Sequence, residues 1–434
     1  PPAPVHFHCM RIAMSDYAPV KTALIGLGPR AETLLASIFN IPEEMEVVAV
    51  CDLVDAKIEK ILSLFDKRGR KRPTAFHDYR EMLKIPSIDV VLVATSWNSH
   101  LGIACNVMRA GKYVAIEVGG ASSIDELWQL VHASESTGVS CMMLENCCYG
   151  RNELMVLNMV RQGLFGELIH CACGYEHDLL RMAKEYTEGI ERAIHNRYRN
   201  CDLYPTHQLG PTAKILRINR GNRFLSLTST ASKARGLTNK AEELGIKDEN
   251  GNRLVFNMGD VITTVIKCAG GETITATHGV TLPRPYSRDS RVQGTKGIWM
   301  EDTNGIYIEG ISPSITKIDI AGNPYTVHQW TPVEDFYEKY DHPLWKRYKK
   351  NENEAHGGMD SLMLRALAEA VRTHTAPPID VYDCAAWMSL TCLSEESIAL
   401  GSMPVSFPDF TNGKWINRGK ERPSRWSLNE VFDI

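Results

Sequence analysis

Residues Lys21–Gly26 (KTALIG) form a short apolar run that enters Gly26-Leu27-Gly28-Pro29-Arg30-Ala31 and passes at once into a helical stretch, Glu32–Asn40. Nothing else in the chain restricts its fold as much. In a strand–turn–helix unit of this kind the first glycine makes the tight turn. The second lets the backbone approach a pyrophosphate at the helix N-terminus, and a small third residue keeps helix and strand close. The next apolar strand, Glu46–Cys51, ends at Asp52, 24 residues beyond Gly28. An acid at that spacing accepts hydrogen bonds from the adenosine ribose and repels a 2′-phosphate, which predicts NAD rather than NADP. Arg30 argues the other way, because a nearby arginine can accommodate that phosphate.

The alternation continues. Ile88–Thr95 reads as a third strand, followed by the helix Ser99–Ala110, the strand Lys112–Glu117, the helix Ser123–Thr137 and the run Ser140–Leu144. Buried strands alternating with amphipathic helices predict an α/β fold, a Rossmann doubly wound parallel sheet over residues 20–146. Residues 1–19 lack periodicity and read as an N-terminal arm. After the helix Asn152–Gln162, strand-like runs dominate: Glu167–Tyr175, Arg223–Ser232, Asp260–Cys268, Glu272–Thr277, Arg291–Met300 and Gly305–Gly310. Joined by Gly and Asn turns, they predict a C-terminal α+β domain with an open, largely antiparallel sheet over 147–400. Its last helices span Gly358–His374 and Asp383–Gly401, before a polar tail over 401–434. The open sheet offers a face through which copies of the chain can form a homo-oligomer.

Composition removes other classes. The 434 residues carry 48 Lys+Arg against 52 Asp+Glu, a net charge of −4, so no basic footprint for nucleic acid is present. No run approaches the roughly 20 apolar residues of a transmembrane segment. The 12 cysteines include no C-x-x-C, so buried inert thiols are expected and no metal site. The chain opens Pro1-Pro2-Ala3-Pro4 without Met, as after removal of a leader or trimming. That favours the periplasm or cell envelope over the cytoplasm as an expectation.

Beyond spacing, Trp97-Asn98-Ser99-His100, Glu117-Val118 and Glu145-Asn146 resemble the Gfo/Idh/MocA oxidoreductase architecture. Leu157–Leu168 (LNMVRQGLFGEL), Tyr175-Glu176-His177-Asp178, Asp202–His207 (DLYPTH), Asn219–Arg223 (NRGNR), Leu282–Tyr286 (LPRPY), Val292–Gly297 (VQGTKG), Tyr340–Trp345 (YDHPLW) and His356–Asp360 (HGGMD) resemble one branch of it, glycoside hydrolase family 109. The resemblance covers about residues 20–416. It implies that Gly26, Gly28, Pro29, Arg30, Asp52, Trp97, Asn98, Ser99, His100, Glu117, Val118, Asn146 and Tyr204 contact NAD. It implies that Tyr175, Arg192, Tyr204, Pro205, Thr206, His207 and Tyr286 contact the sugar. Three positions depart from the family pattern: Cys201 replaces a usual Gly, Glu191 a usual Trp, and Gly279 a usual Asp. They put substrate preference in question more than chemistry.

Taken without the family, His207 at a helix start is more often a cap or core residue. For Tyr204 a half-buried aromatic, and for Tyr175 a strand-end ring packed on the sheet, are the alternatives to a site role. Tyr286, between Pro283 and Pro285, reads equally either way, and Arg192 reads as a surface charge. Asp178, His177, His278 and His356 are second-rank candidates. The upstream dinucleotide fold makes His207 the expected catalytic base, since hydride removal needs a base at the hydroxyl. Tyr204 or Tyr175 is then expected to act at the C2 proton. Sugar dehydrogenases of the superfamily carry Glu-Lys-Pro where this chain has Glu117-Val118-Gly119, so their usual lysine acid/base is absent. The expected function is a glycosidase that removes terminal N-acetylgalactosamine (more broadly N-acetylhexosamine) from glycan substrates by NAD-dependent oxidation, elimination, water addition and reduction, one of the exceptions to two-carboxylate hydrolysis. The alternatives are an NAD-dependent sugar dehydrogenase and a silent sugar-binding protein that retains the cofactor.

Overall fold

A computed structural model describes residues 18–348, 354–418 and 421–434. The expected arm lies outside these residues apart from 18 and 19. The first six strands are β1 (Val20–Ile25), β2 (Met45–Cys51), β3 (Thr74–Phe76), β4 (Val90–Val93), β5 (Tyr113–Ile116) and β6 (Cys141–Met143). They form one sheet in the order β3-β2-β1-β4-β5-β6, and every pair is parallel. Strands β4 (VVLV) and β5 (YVAI) are buried at every residue, as expected of strands covered on both faces. Between them run α1 (Pro29–Phe39), α2 (Asp55–Lys67), α3 (Tyr79–Met82), α4 (Trp97–Arg109) and α5 (Ile124–Thr137). Helix α2 turns Ile58, Ile61, Leu62 and Phe65 inward, the i, i+3, i+4, i+7 stripe. The three residues of β3 form an exposed edge with no apolar run to reveal it.

The chain then enters α6 (Arg151–Arg161), β7 (Leu168–Glu176), α7 (Met182–Thr187), α8 (Glu191–Tyr198) and α9 (Thr206–Ile215), followed by β8 (Phe224–Ala231) and α10 (Gly236–Glu243). Strands β9 (Ile262–Cys268), β10 (Thr273–Gly279), β11 (Arg291–Gly294), β12 (Gly297–Met300) and β13 (Gly305–Ile308) follow. The run Arg291–Met300 is a hairpin rather than one strand, because the chain reverses at Thr295-Lys296 between two glycines. A detached hairpin, β14 (Ser314–Ile318) and β15 (Pro324–His328), precedes β16 (Thr331–Pro332). The nine-stranded sheet has the order β16-β13-β12-β11-β7-β10-β9-β8-β17, where β17 is Val405–Ser406. Its one parallel pair is β7 with β10. Strand β9 alternates strictly, with Ile262, Thr264, Ile266 and Cys268 buried and Thr263, Val265 and Lys267 exposed. The covered face meets α9 and, near the chain's end, α14; the opposite face is open.

Short helices α11 (Tyr337–Tyr340) and α12 (Pro343–Tyr348) lead to α13 (Met359–Thr373) and α14 (Val381–Ala399). The last two join the halves. Helix α13 packs on α1, on β1 and on residues 146–149, and α14 lies between α5, β6 and β8. Asp380 and Asp383 cap α14 reciprocally, and Asp383 also accepts from Lys214 Nζ at 2.6 Å and Arg220 Nη1 at 2.8 Å. Trp387 on α14 is fully buried, so truncation to Ala would cost about 3–5 kcal/mol. Among the described residues, no helix is long and apolar enough to cross a membrane.

Candidate active site

Strand β1 turns into α1 through Gly26, whose φ of +85° favours glycine. A Cβ there would also sit 2.7 Å from the Ala94 carbonyl carbon at the end of β4. Gly28 is different: it is extended, and a Cβ would meet nothing within 4 Å, so the turn presents bare backbone to open space. Pro29 opens α1 at the position where its fixed φ suits a helix start. Asp52, just past β2, accepts from the Leu27 N–H at 2.8 Å and the Val54 N–H at 3.0 Å. Its carboxylate therefore holds the glycine turn. A turn that buries Leu27 and shows only backbone at Gly28, at a helix N-terminus with an acid beside it, fits a dinucleotide.

Arg30 corrects one expectation. Its Nε donates to Glu117 Oε1 at 2.7 Å, and its two terminal nitrogens reach Asp360 at 2.7 and 3.0 Å. A guanidinium bonded to two buried carboxylates is committed to them rather than free for a ribose 2′-phosphate. Asn146 Nδ2 also donates to Asp360 at 2.9 Å, and His356 Nδ1 lies 2.8 Å from it. Burial opposes the charge on Asp360, but His356 and Arg30 outweigh it and hold the carboxyl well below the usual range. Burial pushes Glu117 up, against the pull of Arg30. This network locks α13 to the nucleotide sheet.

A cavity of about 260 Å³ opens where β4 and β5 end. Thr95, Trp97, Val118, Asn146, Tyr204 and His207 line it, and Arg30, Glu117 and His356 lie on its wall. A larger cleft of about 1330 Å³ lies away from this chemistry, beside α13 and the C-terminal tail. Three of its four arginines are engaged: Arg220 and Arg418 with Asp380, and Arg217 with Glu430.

His207 lies in the first turn of α9, with Nδ1 2.7 Å from Glu145 Oε1. Glu145 is fully buried, accepts from the Cys147 N–H at 3.1 Å, and its second oxygen has no hydrogen bond of normal geometry. Burial works against a charged imidazole, yet Cys147, the Glu145 carboxylate and Tyr204 outweigh it and hold His207 well above its ordinary value. Glu145 is held low despite burial, chiefly by His207. Tyr204 precedes α9 rather than belonging to it, but its ring centroid is 4.9 Å from that of His207. Tyr175, ending β7, lies 4.6 Å from Tyr204 and 5.6 Å from His207. Tyr286 stands edge-on to Tyr175 at 6.2 Å, in the loop before β11. Arg192 on α8 sets its guanidinium 4.6 Å from the Tyr204 centroid and 5.3 Å from that of Tyr175. Two of its nitrogens, Nε and Nη2, are buried without a protein partner. Burial pushes the Tyr204 phenol up.

The other sequence candidates do not line the cavity. His100 is fully buried within α4, and burial takes it down to about 4. Ser99 Oγ turns to Thr95 Oγ1 at 3.0 Å, and Asn98 Oδ1 accepts from Ser122 Oγ at 3.3 Å. Pro205 and Thr206 are buried at the start of α9. His278 is buried against Tyr175, and burial takes it to about 3. His177 is 5.3 Å from Tyr286, while Asp178 accepts only from the nearby Leu180 N–H. Glu191, one of the departures from the family pattern, accepts from the Trp97 and Asn98 N–H groups at 2.7 and 3.0 Å. It thereby caps α4. Glu145 and Asp360 received no role from sequence; the available signal was a carboxylate ending the otherwise apolar run Ser140–Leu144, which must be partnered once buried.

A parallel dinucleotide sheet joined to an open mixed sheet, with the cavity at their junction, defines the class of protein built on the oxidoreductase plan. Residues 20–145 match the oxidoreductase family NAD-binding Rossmann fold, and residues 149–417 match the glycosyl hydrolase 109 C-terminal domain. The chain belongs to glycosyl hydrolase family 109. It is 41% identical over 424 residues to an alpha-N-acetylgalactosaminidase of Tannerella forsythia, covering 92% of this chain and 88% of that protein. A second protein of that name, from Shewanella oneidensis, is 40% identical over 405 residues, with 91% and 86% covered. In fold the chain resembles scyllo-inositol dehydrogenase from Lactobacillus casei with bound NAD(H) and scyllo-inositol, at a TM-score of 0.61 and 12% identity, covering 89% of this chain and 99% of that one. It also resembles aldose-aldose oxidoreductase from Caulobacter crescentus, at a TM-score of 0.61 and 15% identity, with 90% and 100% covered.

Proposed function

We propose that the protein removes terminal N-acetylgalactosamine from glycoconjugates by a cycle of oxidation, elimination, water addition and reduction in which NAD is regenerated. The observation that carries this reading is the buried Glu145–His207 pair set against the Tyr175–Tyr204–Arg192 cluster, next to a dinucleotide turn. The site carboxylates support it too. Glu117, Asp360 and Glu145 are each committed to a cationic partner. Direct displacement needs one carboxyl free as acid and another as base or nucleophile.

Gly26, Gly28, Pro29, Asp52, Trp97, Val118, Asn146 and Tyr204 would hold NAD, with Arg30 and Glu117 stiffening the wall behind it. Bound NAD would supply reversible hydride transfer at C3 of the sugar. Everything else falls to the chain's own residues. With Nδ1 engaged by Glu145, His207 keeps Nε2 to take the C3 hydroxyl proton and later return it. Glu145 fixes the ring and stabilises its charged form. The C3 ketone acidifies the C2 proton, which Tyr204 or Tyr175 would carry while the glycosidic oxygen leaves C1. Burial favours the neutral phenol of Tyr204. It would therefore take the C2 proton only as its own proton passes to the departing glycosidic oxygen, and it would return a proton to C2 after water has added. Arg192 offers two unmet N–H donors to the oxygen that gains charge.

Turnover in deuterated water tests the cycle. Deuterium is expected at C2 of the released sugar, and an unlabelled C2 overturns the elimination route. A sugar dehydrogenase would instead require added NAD and accumulate absorbance from the reduced nicotinamide. A silent sugar-binding protein would turn nothing over.

A further inference from the structure

Cys147 is not used by the proposed reaction, yet its thiol lies beside the groups that are. Glu145, Cys147 and His207 bring a carboxylate oxygen, a sulfur and a ring nitrogen all within 4.8 Å of one another. Glu145 and Cys147 are buried and His207 is half-buried at the cavity wall. A second observation points to a ligand. The other Glu145 oxygen is buried with no hydrogen bond of normal geometry, its polar neighbour being the Thr206 hydroxyl. A buried oxygen so poorly met is costly unless something meets it. Sulfur, imidazole and carboxylate together form the donor set of zinc, and three protein donors with one open side are the pattern of zinc sites that keep a position for solvent or substrate.

We infer that Glu145, Cys147 and His207 form a binding site for a thiophilic divalent cation of the zinc type behind the cavity wall, reached at His207. Zinc ligands at about 2.0–2.3 Å lie roughly 3.3–3.8 Å apart in a tetrahedron. The 2.7 Å contact between His207 and Glu145 must therefore open slightly, while Cys147 Sγ draws in. Binding exchanges charges without redox chemistry. One Zn²⁺ enters and the thiol proton leaves to solvent, while the proton between His207 Nδ1 and Glu145 moves to Nε2. The metal on Nδ1 then confines the remaining ring proton to Nε2, so that nitrogen can no longer accept one. If His207 has the proton role proposed above, the cation is an inhibitor; the binding itself does not depend on that role.

The purified protein is equilibrated with Zn²⁺ alone, and bound metal is counted after dialysis. About one ion per chain is expected, and X-ray absorption should find one sulfur at about 2.3 Å with nitrogen and oxygen at about 2.0–2.1 Å. Among the described residues this is the one group of three such ligands, so a shell lacking sulfur, or no retained zinc, overturns the inference. Cys147→Val should weaken binding by more than the roughly 10–100-fold that losing an outer partner costs. A folded variant that binds as the parent does overturns it as well. If that variant does not fold, the metal count and the sulfur shell of the parent decide. Zinc that binds to a protein without glycosidase activity would leave the site standing and remove only the proposed function.

Discussion

At the scale of single residues, His207 and Glu145 carry the sharpest expectations. His207→Ala should lower turnover by about 10²–10⁴-fold, the usual contribution of a positioned acid–base group. It should melt within a few degrees of the parent and form little reduced nicotinamide when sugar is added; unfolding or near-parental turnover would make the histidine structural. Tyr175→Phe should instead leave oxidation at C3 partly intact, so that reduced nicotinamide accumulates without release of the aglycone. Glu145→Gln tests the electrostatics. His207 is held above its ordinary value partly by the Glu145 carboxylate, and a base must be neutral to accept a proton. The rise of kcat/KM with pH should therefore sit at higher pH in the parent and move toward acid in Glu145→Gln. An unmoved limb would assign it to another group. None of this pairing is visible along the chain, because Glu145 and His207 are 62 residues apart.

At the scale of elements, the β1–α1 turn depends on Asp52. Asp52→Ala should weaken NAD retention by about 1.5–3 kcal/mol, the range for hydrogen bonds to a charged group, and should loosen the turn that the carboxylate bonds through Leu27 and Val54. Copurification of NADP instead of NAD would refute the reading. The segment before α9 holds a second lever. Burial lifts the Asp202 carboxyl to about 7, above the roughly 3.9 of an unfolded chain. A group raised in the folded state gives full stability below its unfolded pKa and loses it as pH rises through the folded one. Thermal melts of Asp202→Asn against the parent should therefore diverge in the variant's favour from about pH 4 to pH 7, and a constant difference would show that Asp202 does not titrate in that window. In the first half β1, β2, β4, β5 and β6 with α1, α4 and α5 were legible because their apolar runs are complete, whereas α2, β3 and α3 went unread, so that the strand taken as third is the fourth. The hairpin at Thr295-Lys296 was not legible either, since polar turn residues between two short strands leave the apolar alternation nearly unbroken.

At the scale of the whole molecule, the open face of the nine-stranded sheet exposes Val265, while Ile169 and Leu225 are exposed at the register shifts of β7 and β8. Exposed apolar side chains on and beside a sheet face commonly mark an interface, so the chain is expected to form a homo-oligomer through it. Sedimentation should give a mass of two or more copies, and Ile169→Glu with Val265→Glu should release folded single chains. A parent that sediments as a single chain would refute the arrangement. The sequence by itself determined the nucleotide fold and the family and named several of the residues that line the cavity, because alternating apolar runs, a glycine turn with an acid at fixed spacing, and long uncommon strings are all local signals. Only the tertiary structure decided what those residues do to one another. It turned Arg30 away from a phosphate and onto Glu117 and Asp360, gave His207 a buried carboxylate, and brought Cys147 beside both. Charge pairing in a buried site depends on distances between residues far apart in the chain, and no local pattern encodes those distances.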